Sequence, residues 1–175
     1  RATDDSDLFK TYYTSDTTYS IPTELRYRTD SETTVKKVNT LSADKKNVVR
    51  EEVLANNVLK EKTEYEYDTY GKVTKRDVGK DIAAGAGIAT NYTYADGTSL
   101  ISSVSMTVTN ADGNTGTRSA DYVYDSRGNV TSFTDPNGAV TAREYDILGR
   151  INQITLDTGE EISYNFNDTN NSVSY

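Results

Sequence analysis

The sequence contains no cysteine and no histidine. Disulfides, thiolate and imidazole zinc sites, and Ser-His-Asp or Cys-His nucleophilic catalysis are therefore excluded. Tryptophan is also missing, and the single methionine is Met106. No run of 18 apolar residues exists, so no membrane insertion by a helix is expected. A secretion signal is not visible either. Because the chain starts at Arg1, the expectation is a segment of a longer protein, with any export signal outside it. Hydrophobic residues make up only 34%, below the roughly 45–50% usual for soluble domains counted with glycine. Any core must be thin. Basic residues are scarce toward the C-terminus: residues 1–62 hold eleven acidic and eleven basic side chains, residues 121–175 nine and three. With a net charge of −8, nucleic acid is an unsuitable partner, since that binding needs a basic face to neutralise phosphates.

What the chain has instead is tyrosine: fourteen, against three phenylalanines. Tyrosine buries its ring while its hydroxyl stays wet or bonded. These residues recur. Tyr124, Tyr145 and Phe166 are 21 apart, as are Gly138 and Gly159. A glycine follows the tyrosine by four residues at Gly128 and Gly149, and a branched aliphatic residue comes two later, at Val130 and Ile151. Self-similarity at such a period marks a repeat architecture. Tyrosines two apart (Tyr65 with Tyr67, Tyr92 with Tyr94, Tyr122 with Tyr124), and likewise Tyr164 with Phe166, share a face of a strand. Arg143 interrupts the pair at Tyr145. The earlier copies are spaced more widely, by 27 residues from Tyr67 to Tyr94 and 30 from Tyr94 to Tyr124. Inserts at Gly79–Ala89 and a longer strand pair around Asn110–Gly116 account for the difference.

Upstream, strands are expected at Phe9–Thr14, after Pro22 around Leu25 and Tyr27, and over Thr33–Leu41, with a polar turn at Ser42–Asn47. Helix competes over Val48–Lys62, where good helix formers cluster. Asn56–Asn57 argues against it, because paired asparagines tolerate the positive φ of a hairpin turn. Two strands follow, Val48–Ala55 and Val58–Asp68. Downstream, Asp125 and Asp146 can each cap a turn by accepting backbone N–H groups, as can Asp68 before Gly71. Gly128 and Gly149 supply the left-handed position, and Asp135-Pro136-Asn137-Gly138 is a turn in standard order. One repeat is strand, turn, strand, turn.

The stretches YEYDTYGKV, YVYDSRGNV and REYDILGRI, with the intervening DPNG and DTG, resemble the YD repeats of Rhs-type and wall-associated bacterial surface proteins and of animal teneurins. The resemblance covers Tyr65–Val73 and Tyr122–Asp168, and weakens at Tyr92–Gly97, where Ala95 intrudes. It implies an all-β fold of consecutive antiparallel hairpins forming a curved, spiralling sheet, part of a larger shell. In bacterial relatives that shell encloses a C-terminal toxin; in teneurins it supports adhesion. It also implies an extracellular or cell-wall-associated location. The partners it suggests are neighbouring repeats of the parent chain and an enclosed toxin domain, with glycans a further ligand class through the tyrosine face. Residues 1–47 read as a divergent N-terminal β segment and 48–175 as the repeat array.

Other motifs fit enzymes less well than turns. Asp157-Thr158-Gly159 resembles an aspartic-protease motif, but that chemistry shares a proton between two carboxylates. Only one copy exists, and Gly159 is in phase with Gly138. Glu51/Glu52 and Glu160/Glu161 are adjacent, so a strand points them to opposite faces. Asn110–Asn114 lacks the oxygen series of a calcium loop, and Gly85-Ala86-Gly87 lacks the context of a dinucleotide site. The sequence thus offers no catalytic, metal or cofactor site, and a structural role is expected. Open edge strands would favour edge-to-edge association of a fragment.

Overall fold

The computed structural model describes residues 11–28, 33–79, 87–109, 114–167 and 172–174. Every regular element among them is a strand. Two compact units divide the chain, Arg1–Thr90 and Asn91–Tyr175. In the first lie β1 (Thr11–Ser15), β2 (Pro22–Arg28), β3 (Thr34–Leu41), β4 (Val48–Ala55), β5 (Val58–Tyr67) and β6 (Val73–Gly79). Each is hydrogen-bonded antiparallel to its sequence neighbour. The unit boundary falls within β7 (Ile88–Tyr94). In the second unit the order continues from β7 through β8 (Ile101–Thr109), β9 (Thr115–Tyr124), β10 (Val130–Thr134), β11 (Val140–Tyr145) and β12 (Ile151–Thr155) to β13 (Glu161–Ser163). A separate two-stranded sheet pairs β14 (Asn165–Asn167) with β15 (Ser172–Ser174). The fold is all-β and built of consecutive hairpins, as the repeat implied.

The helix alternative over Val48–Lys62 fails at the asparagine pair. Asn56 and Asn57 have φ of 49° and 63°, and Ala55 pairs with Val58 around them. This is a two-residue hairpin turn whose positive φ angles match the twist of the flanking strands. The expected strand at Phe9–Thr14 corresponds to β1; Phe9 lies outside the described residues, as do 80–86 and 110–113 of the two expected inserts. Strands β8 and β9, with nine and ten residues, are the longer pair expected around Asn110–Gly116.

The sheet is one layer thick within each unit, and burial follows from that. Among the described residues no apolar side chain is buried, and only Thr63, at 3% exposure, is buried at all. Most side chains are half-buried against same-face neighbours. Register sorts them by chemistry. In the first unit Leu25, Tyr27, Val35, Val53, Tyr65 and Tyr67 share one face. The opposite face carries ion pairs Lys36–Glu24 (2.9 Å), Arg50–Glu64 (2.9 Å) and Lys75–Glu66 (3.3 Å). In the second unit Val104, Ala120, Tyr122, Phe133, Ile154 and Ile162 lie on one face. Ser103, Ser105, Thr107, Ser119 and Thr134 lie on the other.

One irregularity recurs. Where β1, β3, β5, β9 and β11 hand over to the next strand, the register shifts by one residue on the strand that follows. The residues left unpaired are Thr23, Val49, Thr74, Thr131 and Asn152. Such bulges bend the strand and increase its local twist. At two of them a threonine hydroxyl closes the gap: Thr23 Oγ1 donates to Thr14 O and Thr131 Oγ1 to Val123 O, both at 3.2 Å.

Candidate functional site

The residues with most chemistry sit at the turns. In the turn at Asp125, the carboxylate Oδ1 accepts from Arg127 N (2.8 Å) and Asn129 N (2.9 Å). Gly128, at φ +87°, donates its N–H to Asp125 O at 3.0 Å. Asp146 repeats this with Leu148 N and Arg150 N (both 2.9 Å) and Gly149. So does Asp68 with Tyr70 N and Lys72 N (both 2.9 Å) and Gly71. Bonding shifts the acidities. The Asn129 amide and backbone hold the Asp125 carboxyl below the usual range, and the Arg150 backbone and guanidinium do the same for Asp146. At Asp68 partial desolvation pushes the other way, but the bonds from Lys72 and Tyr70 outweigh it. These carboxylates are charged at neutral pH and fully engaged by their own turns. That is poor preparation for acid–base work.

Turns without the aspartate substitute hydroxyls. At Gly97, Ala95 stands in its place, and Thr98 Oγ1 accepts from Leu100 N at 3.1 Å. At Gly159 the equivalent position is Leu156, and Thr158 Oγ1 accepts from Glu160 N at 3.4 Å. Two further turns share this construction, the polar turn expected at Ser42–Asn47 and an unexpected one at Asp16. Asp16 Oδ2 accepts from Thr18 N and Tyr19 N, and Ser42 Oγ accepts from Asn47 N. Lys45 pairs with Asp16 at 2.9 Å and, with the backbone bonds, lowers that carboxyl to about 2. At Asp16 the available signal was an Asp at a strand end, obscured because the turn is one residue longer than those at Asp125 and Asp146.

The tyrosines are held from both ends. Ring contacts join Tyr65 to Tyr67 (centroids 6.3 Å apart), Tyr122 to Tyr124 (6.5 Å) and Tyr122 to Phe133 (5.1 Å). In three repeats the hydroxyl of the last tyrosine donates to a backbone carbonyl: Tyr67 to Val48 O (2.6 Å), Tyr124 to Ile101 O (2.6 Å) and Tyr145 to Val130 O (2.8 Å). In all three the acceptor is the first residue of the preceding strand. Partial burial, with Tyr65 and Glu51 nearby, pushes the Tyr67 hydroxyl up. Tyr65 instead donates to Glu51 at 3.2 Å. Tyr92 and Tyr94 are adjacent same-face residues of β7, and Tyr164 donates its N–H to Asn152 O at 2.8 Å. Phe166, in phase with Tyr124 and Tyr145, lies in the separate β14–β15 sheet under the Arg150 guanidinium, 4.1 Å from its ring centre.

Neighbouring turns are also tied to one another. Arg127 Nη1 donates to Ile147 O at 2.8 Å, and from within β9 Arg118 Nη1 reaches the next turn at Pro136 O (3.1 Å). Asp157 Oδ1 accepts from Val140 N at 3.2 Å, so the aspartate of the protease-like motif holds the adjacent turn. Glu51 binds Lys37 at 2.7 Å while Glu52 faces Lys62 on the other side of the sheet. Between the turns Asp44–Asn47 and Asp68–Gly71 lies an open, polar concavity of about 550 Å³. Among the described residues no group of three or more acidic side chains is placed to hold a metal.

Residues 124–161 match the RHS Repeat family model. A search of curated proteins found no match. Among solved structures, the chain is similar to one described as the crystal structure of TcdB2-TccC3-TEV. The TM-score is 0.64 with 14% identity, over 94% of this chain and 9% of that one. Similarity to the Photorhabdus luminescens Tc holotoxin pore has a TM-score of 0.61 at 14% identity, over 92% of this chain and 8% of that one. A third structure, TcdB2-TccC3-Cdc42, gives 0.61 at 10% identity, over 96% and 10%. At these identities the likeness is one of fold. The chain spans about a tenth of the length of the chains it resembles.

Proposed function

We propose that this chain is a non-catalytic wall segment of a large Rhs-type surface or secreted bacterial protein, part of a β shell that encloses or presents a toxin or effector domain. The observation that carries this reading is where the polar groups go. Asp68, Asp125 and Asp146 bind their own turns, and Tyr67, Tyr124 and Tyr145 bind a neighbouring strand. Each repeat spends its chemistry on joining itself to the next. The RHS Repeat match over residues 124–161 and the fold of the Tc toxin structures support the same reading. On it, residues 1–47 are a divergent β segment leading into the array of 48–175, and the protein is extracellular or cell-wall associated.

Limited proteolysis of the parent protein tests the proposal. A domain C-terminal to further repeats should resist digestion until the repeat region is cut. Digestion of that domain at the rate of its isolated form would overturn the enclosing role. Glycan recognition through the tyrosine face is the rival. The contacts of Tyr65 with Tyr67 and of Tyr122 with Tyr124 and Phe133 weigh against it, since a stacking platform needs ring faces that are free. Saturable binding of a cell-wall glycan, lost in Tyr122→Ala, would favour the rival.

A further inference from the structure

Asn137 is the only asparagine in the chain followed by glycine. The others precede larger residues, which obstruct attack of the next backbone nitrogen on the asparagine side chain. Asn137 is exposed, at the third place of the Asp135–Gly138 turn. Gly138 has φ +92°, and the space where a Cβ would stand is open, with nothing within 4 Å. Gly138 thus puts no side chain beside its own nitrogen to hinder attack on the Asn137 side chain. What restrains them is the turn. Gly138 N–H donates to Asp135 O at 2.9 Å, and Asp135 Oδ1 accepts from Asn137 N (2.7 Å) and Ala139 N (3.0 Å).

We propose that Asn137 is a site of spontaneous deamidation, gated by opening of the Asp135 turn. When the turn opens, the Gly138 nitrogen loses its proton to hydroxide and forms a bond to Cγ of Asn137. The side-chain nitrogen then leaves as ammonia, taking up a proton from water. The resulting succinimide is opened by water at either carbonyl, giving aspartate or isoaspartate. No oxidant or cofactor is involved. The isoaspartyl product carries an extra backbone carbon inside a turn held by three short bonds. It also adds a negative charge beside Asp135, at an edge already tied by Arg118 to Pro136 O and by Asp157 to Val140 N. Deamidation would thus loosen one edge of the repeat without breaking the chain.

The test is incubation of the chain at mildly alkaline pH, with intact mass, peptide mapping and enzymatic isoaspartyl labelling followed over time. The first amide-to-acid mass gain should map to Asn137, and Asn137→Ser should remove it. Asp135→Ala should speed conversion by about fivefold, the factor a lost side-chain cap is worth when reaction follows the open population. Conversion that appears first at Asn57 or Asn129, or that persists in Asn137→Ser, would overturn the site. An unchanged rate in Asp135→Ala, with its turn shown by amide exchange to be opened, would overturn the gating.

Discussion

The bond from the Tyr124 hydroxyl to Ile101 O, at 2.6 Å, is all that a phenylalanine would lack. We expect Tyr124→Phe to destabilise by about 1 kcal/mol, the net value of one intramolecular hydrogen bond. Chemical denaturation of both forms checks this, and an unchanged midpoint would mean that solvent replaces the carbonyl without loss. Gly128 has a different reason for its identity. At φ +87° an added methyl group meets the left-handed penalty, while Leu100 Cδ1 at 3.5 Å is only in ordinary contact. Gly128→Ala should cost about 1–2 kcal/mol through the backbone alone. Gly116, with no positive φ and open space around it, is the control whose substitution should be close to neutral.

At the level of the hairpin, turn carboxylates link the fold to pH. Asp16, Asp68, Asp125 and Asp146 all have folded values below the ordinary carboxyl. A depressed folded value means that the stabilisation is complete above the unfolded value, near 3.9. It drains away as pH falls through the folded values, which for Asp16 reach about 2. Stability should therefore hold above roughly pH 5 and fall steeply between about pH 4 and 2. Asp125→Ala should flatten part of that fall and lower the denaturation midpoint at neutral pH. A urea titration at several pH values reads both effects, and a pH-independent midpoint would contradict them.

These hairpins were readable because turn chemistry is local. Asn56–Asn57, Asp125–Gly128 and Asp146–Gly149 announce their conformations within four residues. The turn at Asp16 escaped because one extra residue breaks the spacing. The reach of Arg127 to Ile147 O, and of the Tyr67, Tyr124 and Tyr145 hydroxyls to the start of the preceding strand, depends on register. No local pattern states that. Phase alone also missed that Phe166, which cannot donate such a bond, would leave the main ladder for β14.

For the whole chain, the main fact is a fold with no buried apolar side chain among the described residues. Heat capacity of unfolding reports apolar surface newly exposed to water. Calorimetry should give a value well below the usual 12–15 cal/mol/K per residue. An ordinary value would show that the faces are covered in solution, by association or otherwise. A sheet of this kind is held by ladder hydrogen bonds and same-face contacts, each small. Amide exchange should accordingly be fastest in β1 and β13, which end the strand orders of their units, and slowest in β4 and β9.

The tyrosine-to-carbonyl bond has a further consequence for how such a chain folds. A strand that slips by one residue turns every side chain to the opposite face. In a sheet with no buried apolar side chain among its described residues, little hydrophobic penalty would reject the slipped form. Tyr67, Tyr124 and Tyr145 supply the missing check. Each hydroxyl meets its carbonyl only when its strand is both correctly aligned and correctly faced. The three hairpins that end in these tyrosines thus carry their own proofreading mark.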